Sequence, residues 1–548
     1  MNADIRDVTN QPPPLVDHNT VTSDLALVDA VTRHASAEVV DDLAALGAEA
    51  SSAEAREHGL LANQNEPVLT PYDRYGNRID EVRFHPSWHW LMERGVGHGL
   101  AATPWTSDAE HPHVRRAAGF FAWSQTEPGH GCPISMTYAA VPALRVDDAI
   151  AKEWTPRLAS TTYDFGLRPA ADKAGALAGM GMTERQGGSD VRANVTTATP
   201  TEVDGEYTLS GHKWFTSAPM NDVFLVLAQA PGGLTCFLVP RVLPDGTRNQ
   251  LDVVRLKDKL GNRSNASSEL EFRTTWAQRL GDEGRGVRTI IEMVAATRLD
   301  CVLGSASLMR RALAEASWHV AHRSAFGVLL ADKPLMQNVV ADLAVESEAA
   351  TALAIRLAAA VDRADDPHEA AFRRIGLPLA KFWVCKRTPA MVAEALECLG
   401  GNGYVEESAM PLLFRESPLN SIWEGSCNVN ALDVLRARAR GAPGVDHRGR
   451  PRSGRGPAAR PGRARRARAA GRLVHARGRR APAGRPDGGL PAGRAARAVR
   501  PARGGRRVLR QPPGHGVRRD VRHAADRRRP GRDRAASDSD RVIELSVG

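Results

Sequence analysis

The chain has 548 residues, 42% hydrophobic and 25% charged, with six Cys and a formal net charge of +10. Its longest clean apolar stretch, Val223–Ala228, falls far short of the ~20 residues that a transmembrane helix needs. The opening from Met1 to Leu15 lacks the basic start and apolar run of a secretory signal, which speaks against the membrane and secreted classes.

The six Cys are scattered with no Cys-x-x-Cys pair, a pattern expected of reduced thiols in a cytoplasmic protein rather than a zinc ribbon or disulfide framework. His111 and His113 have no further ligand residues clustered near them in the sequence, so no metal is assigned. The net charge hides two opposite regions. Residues 441–548 carry 30 Arg, no Lys and 8 acids, whereas the rest carries 43 bases and 55 acids. An acidic body is followed by a very basic segment.

In chain order, residues 1–178 open on a Pro-rich stretch (Gln11–Pro14) and an Ala-rich helical pattern around Leu25–Leu46. Helical spacing broken by Pro and Gly follows from residue 61, making this an N-terminal α-helical domain. Residues 179–283 change period. Short alternating runs at Glu206–Ser210, Val223–Leu227, Thr235–Val239, Leu251–Arg255 and Glu269–Arg273 are punctuated by Asp204-Gly205, Pro231-Gly-Gly233 and Asp245-Gly246. They predict a small β-barrel or sandwich. Residues 284–440 return to amphipathic helical spacing, with breaks near Gly327, Pro334, Pro367 and Gly400–Gly403, and predict a helical bundle. The chain thus reads as an α+β multi-domain protein.

In residues 441–548 Arg, Gly, Pro and Ala fill 78 positions and no aromatic residue occurs. Such a segment cannot bury enough apolar surface to offset its ordering entropy, so it is expected to be disordered. Two readings stand. An Arg-rich arm would neutralise nucleic-acid phosphates without reading sequence; equally, Arg without Lys amid Gly, Pro and Ala is what a GC-rich gene read out of frame produces.

Four places carry candidate chemistry. The loop Met182–Asp190 has paired glycines, Gly187 and Gly188, that let backbone approach a flat or phosphorylated ligand, with Thr183 and Ser189 offering hydroxyls. A polar turn is its ordinary reading. Lys213-Trp-Phe-Thr216 ends a predicted strand, where Trp214 could wall a planar cofactor or simply fill core. Arg323, Phe326 and Gln337 place an Arg where a phosphate could pair with it, although an Arg at a helix end is commonly just solvated. Trp423-Glu-Gly425 sets a carboxylate between Trp and Gly; against apolar surface its pKa would rise toward that of a general base, while an exposed Glu is the commoner case.

The order and spacing of these motifs resemble the acyl-CoA dehydrogenase flavoprotein superfamily across roughly residues 80–440. The matching stretches are Thr183-Glu-x-x-x-Gly-Ser-Asp190, Lys213-Trp-x-Thr216, Gly281–Gly286, Arg323-x-x-Phe-Gly327 with Gln337, Leu399–Tyr404 and Glu424-Gly425. Asn10–Leu15, Gly179–Asp190 and Trp423–Arg436 further resemble the AidB branch, flavoproteins of the adaptive response to DNA alkylation. The resemblance implies an α-domain, a β-domain and a four-helix bundle binding FAD. Met182, Thr183, Gly188, Ser189, Trp214, Phe215, Thr216, Gly400, Gly401, Trp423 and Asn428 would contribute to the cofactor site. Arg323, Phe326 and Gln337 would reach the FAD of a neighbouring subunit in a homotetramer built as a dimer of dimers. Glu424 would be the base that takes the α-proton of an acyl-CoA. Members of the AidB branch have a constricted acyl channel and slight dehydrogenase activity, and are thought to bind duplex DNA through a helical domain following the bundle. Here the Arg-rich segment stands in that place. A DNA-shielding flavoprotein without turnover is therefore the alternative to a working dehydrogenase.

Overall fold

The computed structural model describes residues 8–439; the expectations for residues 441–548 lie outside them. The N-terminal part comprises helices α1 (Leu25–His34), α2 (Ala37–Asp42), α3 (Ala44–Ala50) and α4 (Ala53–Gln64), a hairpin of β1 (Val68–Tyr72) and β2 (Arg78–Arg83), then α5 (Pro86–Gly97), α6 (Pro112–Trp123), α7 (Gly131–Leu144) and α8 (Asp148–Leu158). Acceptor side chains start several of them. Asp24 caps α1 through the amides of Ala26 and Leu27, and Asp147 caps α8 through those of Ala149 and Ile150.

The Ala-rich helical pattern of Leu25–Leu46 forms α1, α2 and the start of α3, separated because Ser36 is extended and α2 closes at Leu43. One expectation is corrected here. Residues 61–178 are not helical throughout, since β1 and β2 pair antiparallel around a turn in which Gly76 sits at φ +86°.

The central part is built from β3 (Ala178–Gly181), β4 (Thr197–Pro200), β5 (Glu206–Ser217), β6 (Val223–Ala230), β7 (Gly233–Pro240), β8 (Leu251–Leu256) and β9 (Ser267–Leu280). Pairing runs β6–β4–β5–β9–β7 and back to β6, a closed circuit with β3 and β8 attached. This is the barrel alternative of the sequence reading. Leu209, Phe224, Val226, Phe237, Val239 and Phe272 fill it. Gly205 and Gly233, at φ +83° and +111°, make the turns that the Asp-Gly and Pro-Gly-Gly punctuation announced.

The last part contains α9 (Gly286–His322), a short hairpin β10 (Ser324–Ala325) and β11 (Val328–Leu329), α10 (Pro334–Asp362), α11 (Pro367–Cys398), α12 (Met410–Glu416) and α13 (Cys427–Ala439). The bundle is formed by α9, α10, α11 and α13. Its apolar faces and those of the N-terminal helices share one core that includes Leu27, Leu91, Phe121, Leu303, Leu357 and Val392. A buried ion pair, Arg116 on α6 with Asp300 on α9 (Nη2–Oδ2 2.9 Å), ties the two helical regions together. All six Cys are buried free thiols. No helix among the described residues is long and apolar enough to cross a membrane.

Candidate functional site

Three elements converge near the N-terminus of α7. The first is the loop after β3. Glu184, fully buried, accepts from the amides of Val195 (2.7 Å) and Thr196 (3.2 Å) and from Lys213 Nζ (2.7 Å). Burial alone would raise this carboxyl; the Lys213 ammonium and these donors outweigh it and hold the group below its usual range. The Trp214 amide donates to Thr183 O (2.8 Å) and Asn194 Nδ2 to Met182 O (2.9 Å), so loop and strand are locked together. Gly187 has φ +125°, and a Cβ on Gly188 would come within 2.5 Å of Thr183 Oγ1. The paired glycines are therefore required by this loop's own geometry.

The second element is the end of β5. Its register against β9 shifts between Lys213 and Thr216, a bulge that turns both of these side chains inward and leaves Trp214 and Phe215 outside. Lys257 Nζ stands 3.6 Å from the Trp214 ring centroid and 4.7 Å from that of Phe215, which is 53% exposed. Thr216 Oγ1 is buried without a hydrogen-bond partner. An orphaned hydroxyl of this kind points to an absent ligand atom.

The third element is the turn before α13. Glu424 adopts φ +57° and Gly425 +88°, the left-handed region, where a Glu is held only by its surroundings. Arg298 Nε donates to Glu424 O (3.0 Å), while Lys381 Nζ and Asn430 Nδ2 donate to Gly425 O at 3.0 and 2.6 Å. Lys381 is itself fully buried, and Arg298 is paired with Asp433 at 2.9 Å. Thr297 Oγ1 donates to Glu424 Oε2 at 2.7 Å. Burial pushes the Glu424 carboxyl above its ordinary range, opposed by the Thr297 hydrogen bond and the charges of Lys381 and Arg298. Cys132, at the start of α7, packs in the same apolar cluster as Met182 and Trp423, and burial pushes its thiol up to about 12.

The predicted residues thus fall into two groups. Met182, Thr183, Gly188, Trp214, Thr216, Trp423 and Glu424 border this region, Met182 and Trp423 packing on one apolar cluster. Ser189 and Phe215 are exposed beside it, and Asn428 is exposed in the first turn of α13. Arg323, Phe326, Gln337, Gly400 and Gly401 stand apart at the far end of the bundle. Phe326 is 97% exposed, and the two glycines have nothing within 4 Å of a would-be Cβ. A segment near the N-terminus braces this second group. Arg323 Nη1 donates to Asn10 O (2.6 Å), Asn10 exchanges hydrogen bonds with the Ser324 backbone, Trp318 Nε1 donates to Pro13 O (2.7 Å) and Asn402 Nδ2 to Gln11 (2.8 Å). Sequence reasoning missed Thr297, Arg298, Lys381 and this strap. The one signal was the charged Arg298 within an otherwise apolar helical face. His113 donates to or accepts from Tyr138 Oη at 2.8 Å, and no cluster of three or more metal-ligating side chains occurs among the described residues.

Comparison with known proteins gives three family matches. Residues 10–165 match the adaptive response protein AidB N-terminal domain, 179–275 the acyl-CoA dehydrogenase middle domain and 284–438 the acyl-CoA dehydrogenase C-terminal domain. AidB of Escherichia coli (strain K12) is 51% identical over 431 residues, 78% of this chain and 80% of that protein. Acyl-CoA dehydrogenase family member 11 of Caenorhabditis elegans is 32% identical over 415 residues, 73% of this chain and 66% of that protein. Among solved structures, Caenorhabditis elegans ACDH-11 in complex with C11-CoA superposes with a TM-score of 0.73 at 29% identity, covering 80% of this chain and 76% of that one.

Proposed function

From the premise that the chain belongs to the AidB branch of the acyl-CoA dehydrogenase family, we propose that it is a cytoplasmic FAD-dependent oxidoreductase acting slowly on an acyl-CoA, with Glu424 as the base. The observation that carries this reading is the buried Thr216 hydroxyl without a partner, in a site that also holds a carboxyl raised by burial.

The residues present fit a flavin. The Thr216 hydroxyl offers one hydrogen bond, and the glycine loop beside Thr183 brings backbone close without a Cβ. FAD, when bound, supplies the acceptor for the hydride leaving the β-carbon of the thioester. The chain's part is to hold Glu424 where it can take the α-proton. Arg298, Lys381 and Asn430 fix the two carbonyls of the strained Glu424-Gly425 turn, and Thr297 orients Oε2. A free Glu with pKa ~4.3 is too weak a base for this proton, and a raised pKa narrows that gap. The test is an anaerobic visible spectrum before and after adding a short-chain acyl-CoA. Bleaching of a flavin band supports the reading, and a band that does not respond refutes turnover.

Thr216→Val separates cofactor binding from folding. Losing one hydrogen bond of about 0.5–1.5 kcal/mol should weaken FAD binding by up to about tenfold. The melting of the FAD-free protein should not fall, because no protein group loses a partner. Equilibrium dialysis of FAD and a thermal melt check the two halves.

A homotetramer, a dimer of dimers, is supported by the apolar surface around the strap: Phe326, Leu335 and Tyr404 are 97%, 85% and 83% exposed, more than an isolated subunit would leave in water. Asn10→Ala, which removes both side-chain hydrogen bonds to the Ser324 backbone and leaves Arg323 only the residue-10 carbonyl, is expected to shift sedimentation toward smaller species and lower FAD content together.

A role in the DNA-alkylation response rests on the AidB likeness and on the Arg-rich composition of residues 441–548. Its strongest form, shielding of duplex DNA without turnover, predicts full-chain binding whose log K falls with log salt by about 0.9 per phosphate neutralised. Binding that ignores salt removes that alternative.

A further inference from the structure

A cavity of about 250 Å³ opens among α7, α9, α10 and α11. Ala295 and Leu299, which line it, each lie two residues from Thr297, about 160° around α9 at 3.6 residues per turn. The cavity therefore lies across the helix from the Glu424 chamber. Trp105 and Tyr138, stacked with centroids 5.2 Å apart and 26° between planes, form one wall. Leu299, Leu357 and Leu377, all buried, form the other.

Its polar border is unequal in charge. Arg145 and Arg373 face one exposed carboxylate, Glu292. Neither guanidinium is in an ion pair among the described residues, and Arg145 lies over the Trp105 ring at 4.8 Å. The adjoining His113 reports the local field. Burial, then the guanidinia of Arg116, Arg145 and Arg373, lower its pKa to about 3. Arg116 is neutralised by Asp300, and the Asp362 carboxylate beside His113 is held by the amides of His113 and Val114, which leaves Arg145 and Arg373 as the cations without an ion-pair partner among the described residues.

We propose that this cavity binds an unbranched medium-chain carboxylate, its tail between the aromatic wall and the leucines and its head group between Arg145 and Arg373. Size argues for the class. Pockets for drug-sized ligands measure about 300–1,000 Å³, so a cavity of 250 Å³ encloses a single hydrocarbon chain and its head group but not a whole nucleotide-bearing thioester. The apolar lining calls for a hydrocarbon tail, and two unpaired guanidinia beside it call for an anionic head.

The experiment is calorimetric titration of the full-length, FAD-loaded protein with hexanoate, octanoate and 1-octanol. Expected is one octanoate per subunit, bound on the order of tenfold more tightly than hexanoate, from about fourfold per added methylene. Arg145→Glu/Arg373→Glu should weaken octanoate at least tenfold and leave 1-octanol unchanged. Arg145→Glu alone, at an exposed position, serves if the double variant does not fold. Three results would overturn the proposal: no saturable octanoate binding, equal binding by the charge-reversed protein, or displacement of octanoate by an acyl-CoA. The last would seat the anion in the Glu424 chamber. The readout is binding rather than turnover, so an absence of dehydrogenase activity leaves the outcome interpretable.

Discussion

Glu424→Gln is expected to slow bleaching of the flavin band by an acyl-CoA by about 10²–10⁴-fold, the usual contribution of a positioned general base, with FAD content unchanged. The amide can still accept from Thr297 Oγ1 and the backbone clamps on residues 424 and 425 are untouched, so the variant removes the base without dismantling its mount. Stopped-flow absorbance with wild type and variant side by side decides the matter, and equal rates would remove Glu424 from the chemistry. In the wild type the rate should rise with pH through a carboxyl titration above the ordinary ~4.3, since burial favours the neutral acid. Thr297→Val takes away a bond to the ionised form and should move that titration to still higher pH. Stability runs the other way. A carboxyl whose folded pKa is raised binds more protons in the native than in the unfolded state, so it costs stability increasingly as pH rises through that range. The melting temperature of Glu424→Gln relative to wild type should therefore climb as pH rises above the ordinary carboxyl value of ~4.3, while its activity is lost.

Much of this was legible in the sequence where local chemistry repeats. Alternation and Gly-containing turns located β5, β6, β7, β8 and β9. Gly327, Pro334 and Pro367 located the bundle breaks: Gly327 lies between α9 and α10, and the two prolines are the first residues of α10 and α11. The glycine loop, the Lys213–Thr216 strand end and the Glu424 turn are found by spacing, and Met182 and Trp423, which flank the first and the last, pack on one apolar cluster. Strict alternation does not anticipate that Lys213 and Thr216 share a face, because the bulge that permits it is set by pairing with β9. Arg298 and Lys381 lie far from Glu424 in the chain. A lone Lys in an amphipathic helix reads as solvated, and only the packing of α11 against the 420–425 turn buries it. The strap failed for the same reason: nothing local to Gln11–Pro14 says that Asn10 will meet Ser324, 314 residues on. The β1–β2 hairpin went unread because Pro71 interrupts its first strand, a residue normally confined to edges.

Lys213→Ala should be the most damaging single change in the β-domain, costing about 3–5 kcal/mol, the range for a buried pair deprived of one partner. Both side chains are fully buried, and Lys213 Nζ also donates to Leu227 O at 2.7 Å. Its removal leaves the Glu184 carboxylate with two backbone amides and no cation. Because Glu184 anchors the loop that presents Thr183 and Gly188, FAD should be released at a lower temperature than the one at which the helices melt. Flavin fluorescence and far-ultraviolet circular dichroism followed in one thermal scan separate the two events; coincident transitions would show that the pair serves the whole fold and not the loop. The pH dependence has a defined sign. A depressed carboxyl contributes stability above its unfolded pKa and loses it on acidification, so the gap between wild type and Lys213→Ala should narrow below about pH 4.3. Combining Glu184→Gln with Lys213→Met removes both charges together and should restore most of the melting temperature. If it restores FAD affinity as well, the ion pair is a matter of folding; if stability returns and FAD affinity does not, its role is to set the loop against the cofactor.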